Sequence, residues 1–460
     1  MKKLLLFTFT YLMWTQFALA SHFMGGQLTS RNIGGLTYEV TMTLYRDNRG
    51  ISIGVTEAIN YDSAGTNIAV HNVPWNSMFY LGNNAERYIY IDTITFTAFG
   101  TYSMWFENGA RNSAIVNIPN PGSMHLNNVI YVDPSNSSPV FLNEPITVAQ
   151  FNVPFNYNPL PYDSDGDSIS WKLDTPMGLS MTSALIPEPG YVLPSSDTLV
   201  PFAMDTVTGE ITFLPNLVGN FVVSMLVSEF RAGIKIGEIR RDMQIIVLQS
   251  TNIPATISLN SLNAPFSGKH YTIAPGSGFN FTVIANDPDG NTIDLTLNGE
   301  PFRLTNSPAT FNSTAGPGTS TANFSWTPSL NSARSQPYII SLRVSEPFGI
   351  NVFSNDISIN LNVSNSTGIN QQSNSDVKFN VYPNPTTDYI MFSFNSESKS
   401  SGNIEVLNLA GQSVKEYANL NVVKGLNVIR VDGLNLSKGN YVFTLKIEGE
   451  KVKSSVIKID

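Results

Sequence analysis

Apolar and polar side chains alternate with a period of two residues through most of the chain. The clearest run places five apolar residues at every second position, namely Leu36, Tyr38, Val40, Met42 and Leu44. Similar runs are found at residues 169–173, 243–247, 293–297 and 357–363, and a weaker one predicts a strand at 114–118. A period of two is typical of strands with one buried face, and no helical stripe persists. The pattern therefore predicts an all-β protein built from β-sandwich domains.

The middle of the chain contains two internal repeats. Each repeat has an acidic turn, at residues 163–167 and 287–291, followed directly by an alternating strand. Each later carries the triplet Val-Ser-Glu, which ends at Glu229 and Glu346. The spacing between matching points fits one sandwich domain per repeat.

A chain of 460 residues is too long for a single hydrophobic core. The strand groups and the composition of the connecting segments predict six parts. These are a signal peptide at 1–20, an N-terminal β-sandwich module at 21–133, repeats at 134–249 and 250–364, a Ser/Asn/Gln-rich linker at 365–375, and a compact C-terminal sandwich at 376–460.

The N-terminus has the features of a secretory signal peptide. Lys2 and Lys3 precede a largely apolar stretch at residues 4–17, and Ala18-Leu19-Ala20 offers small residues for cleavage. A membrane anchor is the alternative, but the apolar run is short and is interrupted by Thr and Gln. We expect no transmembrane segment in the mature chain.

Charge and cysteine content exclude several classes of function. The net charge is −9, and residues 377–460 carry ten Lys and Arg against eight Asp and Glu, so the acidity lies in the preceding part. An acidic body argues against nucleic acid as a partner, because such binding depends on Lys and Arg neutralising phosphates. The chain has no cysteine, which rules out disulfides, zinc thiolate sites and cysteine nucleophiles.

The acidic turns are the best candidate site in the sequence. Several hard oxygen ligands come close together in each repeat, as calcium requires. The candidate calcium ligands are Asp163, Asp165, Asp167 and Glu229 in the first repeat, and Asp287, Asp289 and Glu346 in the second. The alternative is that Asp-Gly and Pro-Asp-Gly simply form good turns, with no metal.

The C-terminal module contains four short motifs in a fixed order. Residues 379–385 read Phe-Asn-Val-Tyr-Pro-Asn-Pro, 408–412 read Asn-Leu-Ala-Gly-Gln, 425–429 read Gly-Leu-Asn-Val-Ile, and 439–445 read Gly-Asn-Tyr-Val-Phe-Thr-Leu. Together they resemble the type A C-terminal sorting domain of the Bacteroidetes type IX secretion system. The residues that carry the motif are Tyr382, Pro383, Asn384, Pro385, Gly411, Gly439 and Tyr441.

This resemblance implies export across the outer membrane. It also implies the type IX secretion machinery and a sortase-like peptidase as partners, followed by attachment to the surface or release.

Two weaker resemblances concern the preceding part of the chain. Residues 21–28, 38–47 and 136–141 are similar to the start of secreted or gliding-associated surface proteins, although those often contain cysteines. Residues 202–211, together with the acidic turns, resemble cadherin-like, Ig-like domains, and the likeness is clearer for the first repeat.

These observations favour an exported cell-surface or secreted protein with an adhesin-like or structural role. It would bind a surface glycan or protein, with calcium stiffening the joints, and it would not be an enzyme. The alternative is a secreted carbohydrate-active or hydrolytic enzyme that uses paired carboxylates in the N-terminal module. Trp75, which follows Pro74 in a predicted loop, is the aromatic residue least typical of a core, whereas Trp171 and Trp326 are predicted to be buried.

Overall fold

A computed structural model describes most of the chain. The described residues are 23–63, 69–108, 111–112, 115–178, 186–206, 208–261, 270–334, 336–349, 351–364, 380–382, 386, 389–396, 399–408, 412–432, 434–447 and 450–459. The predicted signal peptide and linker lie outside them. The chain divides into two compact units, Met1–Asn365 and Ser366–Asp460.

Seven strands form the first part of the larger unit. They are β1 Phe23–Gly34, β2 Thr37–Asp47, β3 Thr56–Ser63, β4 Ala69–Gly82, β5 Ala85–Thr95, β6 Gly100–Asn108 and β7 Met124–Val132. Their order in the sheet is β1-β2-β5-β4-β3-β6-β7. One face carries a core of apolar side chains that includes Tyr38, Met42 and Leu126.

The next eleven strands belong to the first repeat. They are β8 Val140–Phe141, β9 Ile146–Gln150, β10 Phe155–Tyr157, β11 Pro161–Tyr162, β12 Ser168–Asp174, β13 Met177–Gly178, β14 Ile186–Pro187, β15 Ala203–Met204, β16 Ile211–Phe213, β17 Gly219–Arg231 and β18 Ile234–Leu248. The strands β12, β17, β18 and β9 share a core with the small sheet β10-β16-β15, and Trp171 lies in that core.

One long strand, β18, joins these two parts into a single hydrogen-bonded sheet. β17 pairs along almost its whole length on one edge. On the other edge β18 meets β7 at residues 237–239, then β1 where Gly26 faces Asp242, then β9 at residues 244–248. The backbone of β1 approaches closely because Gly25, at φ +151°, has no Cβ; one would lie 2.4 Å from the carbonyl oxygen of Asp242.

A buried ion pair lies at this junction. Arg111, in the segment between β6 and β7, donates two hydrogen bonds of 2.7 Å to the carboxylate of Asp242 on β18. Both side chains are fully buried, and Glu188 lies 3.8 Å from the same guanidinium. The pair therefore joins the two parts of the sheet through side chains as well as backbone.

The second repeat is a sandwich of two sheets. Its elements are β19 Thr256–Ser261, β20 His270–Ile273, β21 Phe279–Asn286, β22 Thr292–Gly299, a 3-10 turn at Glu300–Phe302, β23 Thr310–Thr314, β24 Gly316–Pro317, β25 Thr319–Trp326, β26 Tyr338–Phe348 and β27 Asn351–Val363. The sheets β19-β21-β25-β23 and β20-β27-β26-β22-β24 enclose one core, in which Trp326 is among the largest buried side chains.

Polar side chains hold the two repeats together along β27. The amide of Asn158 donates to the hydroxyl oxygen of Ser358 at 2.7 Å, and its backbone N–H donates to Asp356 at 2.9 Å. The N–H of Ser358 donates to Glu210 at 2.8 Å. These groups are buried, so each hydrogen bond avoids the cost of an unpaired polar group at the contact.

The smaller unit is a separate sandwich. Its strands are β28 Asn380–Tyr382, β29 Tyr389–Ser396, β30 Ser400–Leu407, β31 Ser413–Val422, β32 Gly425–Asp432, β33 Gly439–Ile447 and β34 Glu450–Ile459. The sheets β28-β29-β32 and β31-β30-β33-β34 enclose a core that includes Phe392 and Phe443.

The predicted all-β sandwich fold is confirmed, as is the burial of Trp171 and Trp326. The predicted strand at 114–118 is wrong for residues 115–118, which form only an isolated bridge at Ile115. There the Asn117 side chain exchanges two hydrogen bonds with the backbone of Val222 and so replaces a strand at the edge of β17. The boundaries of the six parts stay a prediction.

Across the part of the chain described here, no helix is long and apolar enough to cross a membrane.

We expect Arg111→Met to lower the free energy of unfolding of the larger unit by about 3–5 kcal/mol, because it leaves Asp242 buried without a counter-ion. Urea unfolding followed by tryptophan fluorescence measures this, since all five tryptophans precede residue 327. The matched control is Arg31→Met, which breaks the exposed pair with Glu39 and should cost less than about 1 kcal/mol. Equal losses in the two variants would contradict the proposed importance of the buried pair.

Candidate metal centre

The acidic turn of the first repeat is built by the backbone around one carboxylate. Asp163 Oδ1 accepts the backbone N–H groups of Asp165 and Asp167, both at 2.9 Å. Gly166, at φ +84°, permits the tight turn between them. Asp163 Oδ2 has no hydrogen-bond partner although it is buried.

Glu229 points toward this turn from strand β17. Its side chain is completely buried, and neither carboxylate oxygen accepts a hydrogen bond from a donor. Its cross-strand neighbour is Gly237, where a Cβ would lie 2.5 Å from Glu229 Oε2. Glycine opposite Glu229 therefore leaves room for the carboxylate in this position.

Three carboxylates meet at this point. Asp163, Asp167 and Glu229, which we call the first acidic cluster, each place one oxygen within 4.8 Å of the others. Calcium binds oxygen ligands at about 2.3–2.6 Å, so three oxygens at this separation could contact one ion. Among the residues that the structure describes, this is the one group of three such side chains.

Arg231 balances part of the charge. Its guanidinium donates to both oxygens of Asp167, at 2.9 and 2.5 Å, and also to Asn136 Oδ1 at 3.0 Å. Asp165, the remaining predicted ligand, accepts the backbone N–H of Ser137 at 2.5 Å instead. The turn is thereby tied to the segment that leads out of β7.

Burial and mutual repulsion keep protons on the cluster when no cation is bound. Burial, followed by the charge of Asp163 and the facing carboxylate of Asp167, raises the pKa of Glu229 to about 9. Burial also raises the pKa of Asp163 to about 6. A buried, deprotonated carboxylate without a hydrogen-bond donor lowers the stability of the folded state. A bound cation would compensate this charge.

The equivalent residues of the second repeat are arranged differently. Asn291 stands where the first repeat has Asp167, and it donates a 2.9 Å hydrogen bond to Asn252. Glu346 accepts the amide of Asn252 at 2.7 Å and the N–H of Ala255 at 3.1 Å. Asp289 accepts the N–H of Ile253 at 2.7 Å. Internal donors thus satisfy most of these oxygens.

One carboxylate pair remains in the second repeat. Burial and the hydrogen bond with Asp287 raise the pKa of Glu346 to about 7. Burial opposes ionisation of Asp287, but its hydrogen bonds with Glu346 and with the N–H of Asn291 lower its pKa overall. Asp287 Oδ2 is buried without a hydrogen-bond partner, as Asp163 Oδ2 is in the first repeat. Calcium at either repeat stays a prediction.

The sequence placed the three members of the first acidic cluster correctly in one neighbourhood, but it missed two residues that shape it. Arg231 lies two positions after Glu229, so it points to the same face of β17 and could have been predicted from strand alternation. Gly237 could not, because its role depends on the pairing register of β17 with β18.

The predicted sorting residues lie in the smaller unit or outside the described residues. Tyr382 ends strand β28, and Gly439, at φ +153°, begins β33, which also contains Tyr441. Pro383, Asn384, Pro385 and Gly411 lie outside the described residues.

Residues 380–459 match the family model of the secretion system C-terminal sorting domain. The predicted C-terminal sorting domain is thereby confirmed. The domain implies export toward the cell surface or the extracellular space and interaction with type IX secretion machinery. The match is confined to the smaller unit.

No curated protein matches the chain. Among solved structures, a DUF4785 family protein from Legionella pneumophila is similar at 13% identity, covering 63% of this chain and 77% of that one, with a TM-score of 0.20. The protocadherin GammaB4 extracellular domain is similar at 13% identity, 88% and 61% coverage and a TM-score of 0.17. The major pilin subunit of Bacillus cereus is similar at 9% identity, 68% and 95% coverage and a TM-score of 0.17. Scores this low support no conclusion about function.

In cation-free protein we expect stability to fall as the pH rises from about 5 to about 9. The folded state keeps protons on Asp163 and Glu229 that the unfolded chain releases near its ordinary pKa values, so stabilisation is lost toward high pH. Glu229→Gln should remove up to about 1.4 kcal/mol per pH unit from this slope. Urea unfolding in the presence of a chelator measures it, with Glu39→Gln on the exposed face of β2 as control. An unchanged slope in Glu229→Gln would show that Glu229 does not hold the proton.

Proposed function

We propose that the chain is an exported cell-surface or secreted protein with a structural, adhesin-like role, delivered by a type IX secretion system. The observation that carries the proposal is the sorting-domain match at residues 380–459. The rest of the chain would be the cargo that this domain delivers. An origin in the Bacteroidetes, cleavage by a sortase-like peptidase, and attachment to the cell surface or release belong to the same proposal.

The architecture of the larger unit supports a structural role. Its first part and first repeat share one sheet through β18, and buried hydrogen bonds fix the second repeat along β27. Such contacts resist bending at the joints, because buried polar groups would lose their partners if the parts separated. A protein that has to hold its shape outside the cell without disulfides needs this kind of support.

We further propose that calcium binds the first acidic cluster. Three observations support it: the carboxylate oxygens lie close together, Glu229 is fully buried, and its oxygens have no donor. Arg231 ties Asp167 to Ser135 and Asn136, so an ion here would stiffen the passage from β7 into the first repeat. Open positions on the ion would be filled by water.

The alternative of a secreted hydrolytic enzyme in the first part has no specific observation in its favour. Glu86 and Glu107 form pairs with the basic side chains of Arg46 and His125, and Glu57 accepts the backbone N–H of Gly54. A catalytic carboxylate pair needs two acids facing one substrate, and each of these three glutamates is engaged by a different donor.

Deleting residues 380–460 should keep the chain from reaching the outside of a bacterium that has a type IX secretion system. Residues 366–460 fused to a reporter with its own signal peptide should carry that reporter out. Protease accessibility on intact cells and immunoblots of the medium measure both, with the reporter alone as control. A deleted chain that still reaches the surface would overturn the proposed route.

Millimolar calcium should raise the melting temperature of the larger unit by several degrees over chelated protein, since a ligand of the native state stabilises by mass action. Glu229→Gln should abolish the shift. Glu346→Gln, the matched change in the second repeat, should keep it. Tryptophan fluorescence follows the transition. No shift at millimolar calcium, or the same shift in Glu229→Gln, would reduce the first acidic cluster to a turn and leave the export proposal intact.

A further inference from the structure

The second half of strand β4 has a strand neighbour on one side only. Residues 75–82 pair with β5. On the other edge, β3 pairs only with residues 69–74, and the last contact is the N–H of Trp75, which donates to the carbonyl oxygen of Val55, the residue before β3. Within the described parts of the chain, nothing pairs with the other edge of residues 76–82. An edge of this kind presents unpaired backbone N–H and C=O groups.

Large apolar side chains stand exposed on both faces of this edge. Met78 and Tyr80, exposed by 43% and 62%, lie on the face of Tyr88. Phe79, exposed by 46%, lies on the opposite face, with the guanidinium of Arg87 4.6 Å above its ring. Residues 73–82 contain no charged side chain, in a body that is otherwise acidic. Natural edge strands are usually protected by charges, proline or bulges. Here Pro74 and the register shifts on either side of residues 77–80 flank the edge, and the uncharged, exposed stretch between them indicates a partner.

We propose that residues 76–82 of β4 pair with the same edge of a second copy of the chain, in an antiparallel contact about a two-fold axis. Such a contact is self-complementary, because each residue meets its counterpart from the same strand. A register centred on Phe79 sets Met78 opposite Tyr80 on one face and Phe79 opposite itself on the other. Like charges facing each other would oppose self-pairing. Because this stretch is uncharged, no such repulsion arises between the two copies.

Both features of the edge favour a strand over a sugar as occupant. Stacking of a sugar ring would use one face and would not need unpaired backbone. An added strand uses the backbone edge and contacts side chains on both faces. The residue types also agree, because Tyr, Phe, Met and Arg are enriched in protein interfaces.

The contact is small. The exposed parts of Met78, Phe79 and Tyr80 would bury roughly 300–400 Å² per copy, judged from the usual area of large side chains. The total stays below the roughly 1,200 Å² of a standard stable interface, so the association is weak and depends on concentration. Copies held close together on a surface would have the high effective concentration that a weak contact requires.

Sedimentation velocity of the purified full chain over about two decades of micromolar concentration tests the proposal. We expect a reversible monomer–dimer equilibrium that Tyr80→Lys weakens by about tenfold or more, because lysine on an edge strand opposes pairing. Val70→Lys is the matched control: Val70 is an exposed apolar residue of the same strand, but it lies in the half paired with β3. It should leave the equilibrium unchanged.

Hydrogen exchange identifies the surface. Amides of residues 76–82 should exchange more slowly at high protein concentration, and this protection should disappear in Tyr80→Lys. Unchanged melting curves establish that the variants are folded, and Met78→Lys serves as the second variant. A monomer at every concentration, a dimer that survives both lysines, or protection that appears only after a glycan or foreign peptide is added would each overturn pairing between copies.

Discussion

The pairing of strand β18 with four other strands is the constraint on which the larger unit depends. β17 occupies one edge, while β7, β1 and β9 follow one another along the other. The glycine at position 25 lets β1 approach closely, and the Arg111–Asp242 pair places opposite charges at the same point. The result is that two segments with separate hydrophobic cores behave as one sheet.

The first acidic cluster depends on this arrangement. Glu229 stands on β17, its space is provided by Gly237 on β18, and the partners of Arg231 come from the segment after β7. Three regions of the chain thus meet around a carboxylate without a donor. The second repeat, which starts from the same pattern of residues, lacks both the third acid and the arginine and fills the position with amide donors. Two differences, Asn291 in place of Asp167 and the absence of an arginine equivalent to Arg231, therefore distinguish the second acidic turn from the first acidic cluster.

Much of the fold could be predicted from local pattern, and much of the site could not. The alternation of apolar and polar residues located the strands around Tyr38, Trp171 and Ile359, because a strand with one buried face has an apolar residue at every second position. It did not locate the pairing of β1 with β18, since pairing between distant strands leaves no periodic signal. Residues 115–118 show the opposite error, where apolar residues suggested a strand but the side chain of Asn117 took its place. For the cluster, residue types identified the acids, whereas the donors that satisfy the second set became visible only in three dimensions.

The position of β18 in the chain also sets an order of events during folding. Strands β1 to β7 emerge first, but the edge of β7 and the neighbour of β1 are supplied only when residues 234–248 arrive. Until then the first segment has open edges, and such contacts between distant parts of a chain form slowly. The rate at which the larger unit folds is therefore set by the late arrival of β18 as much as by the contacts that hold the finished sheet together.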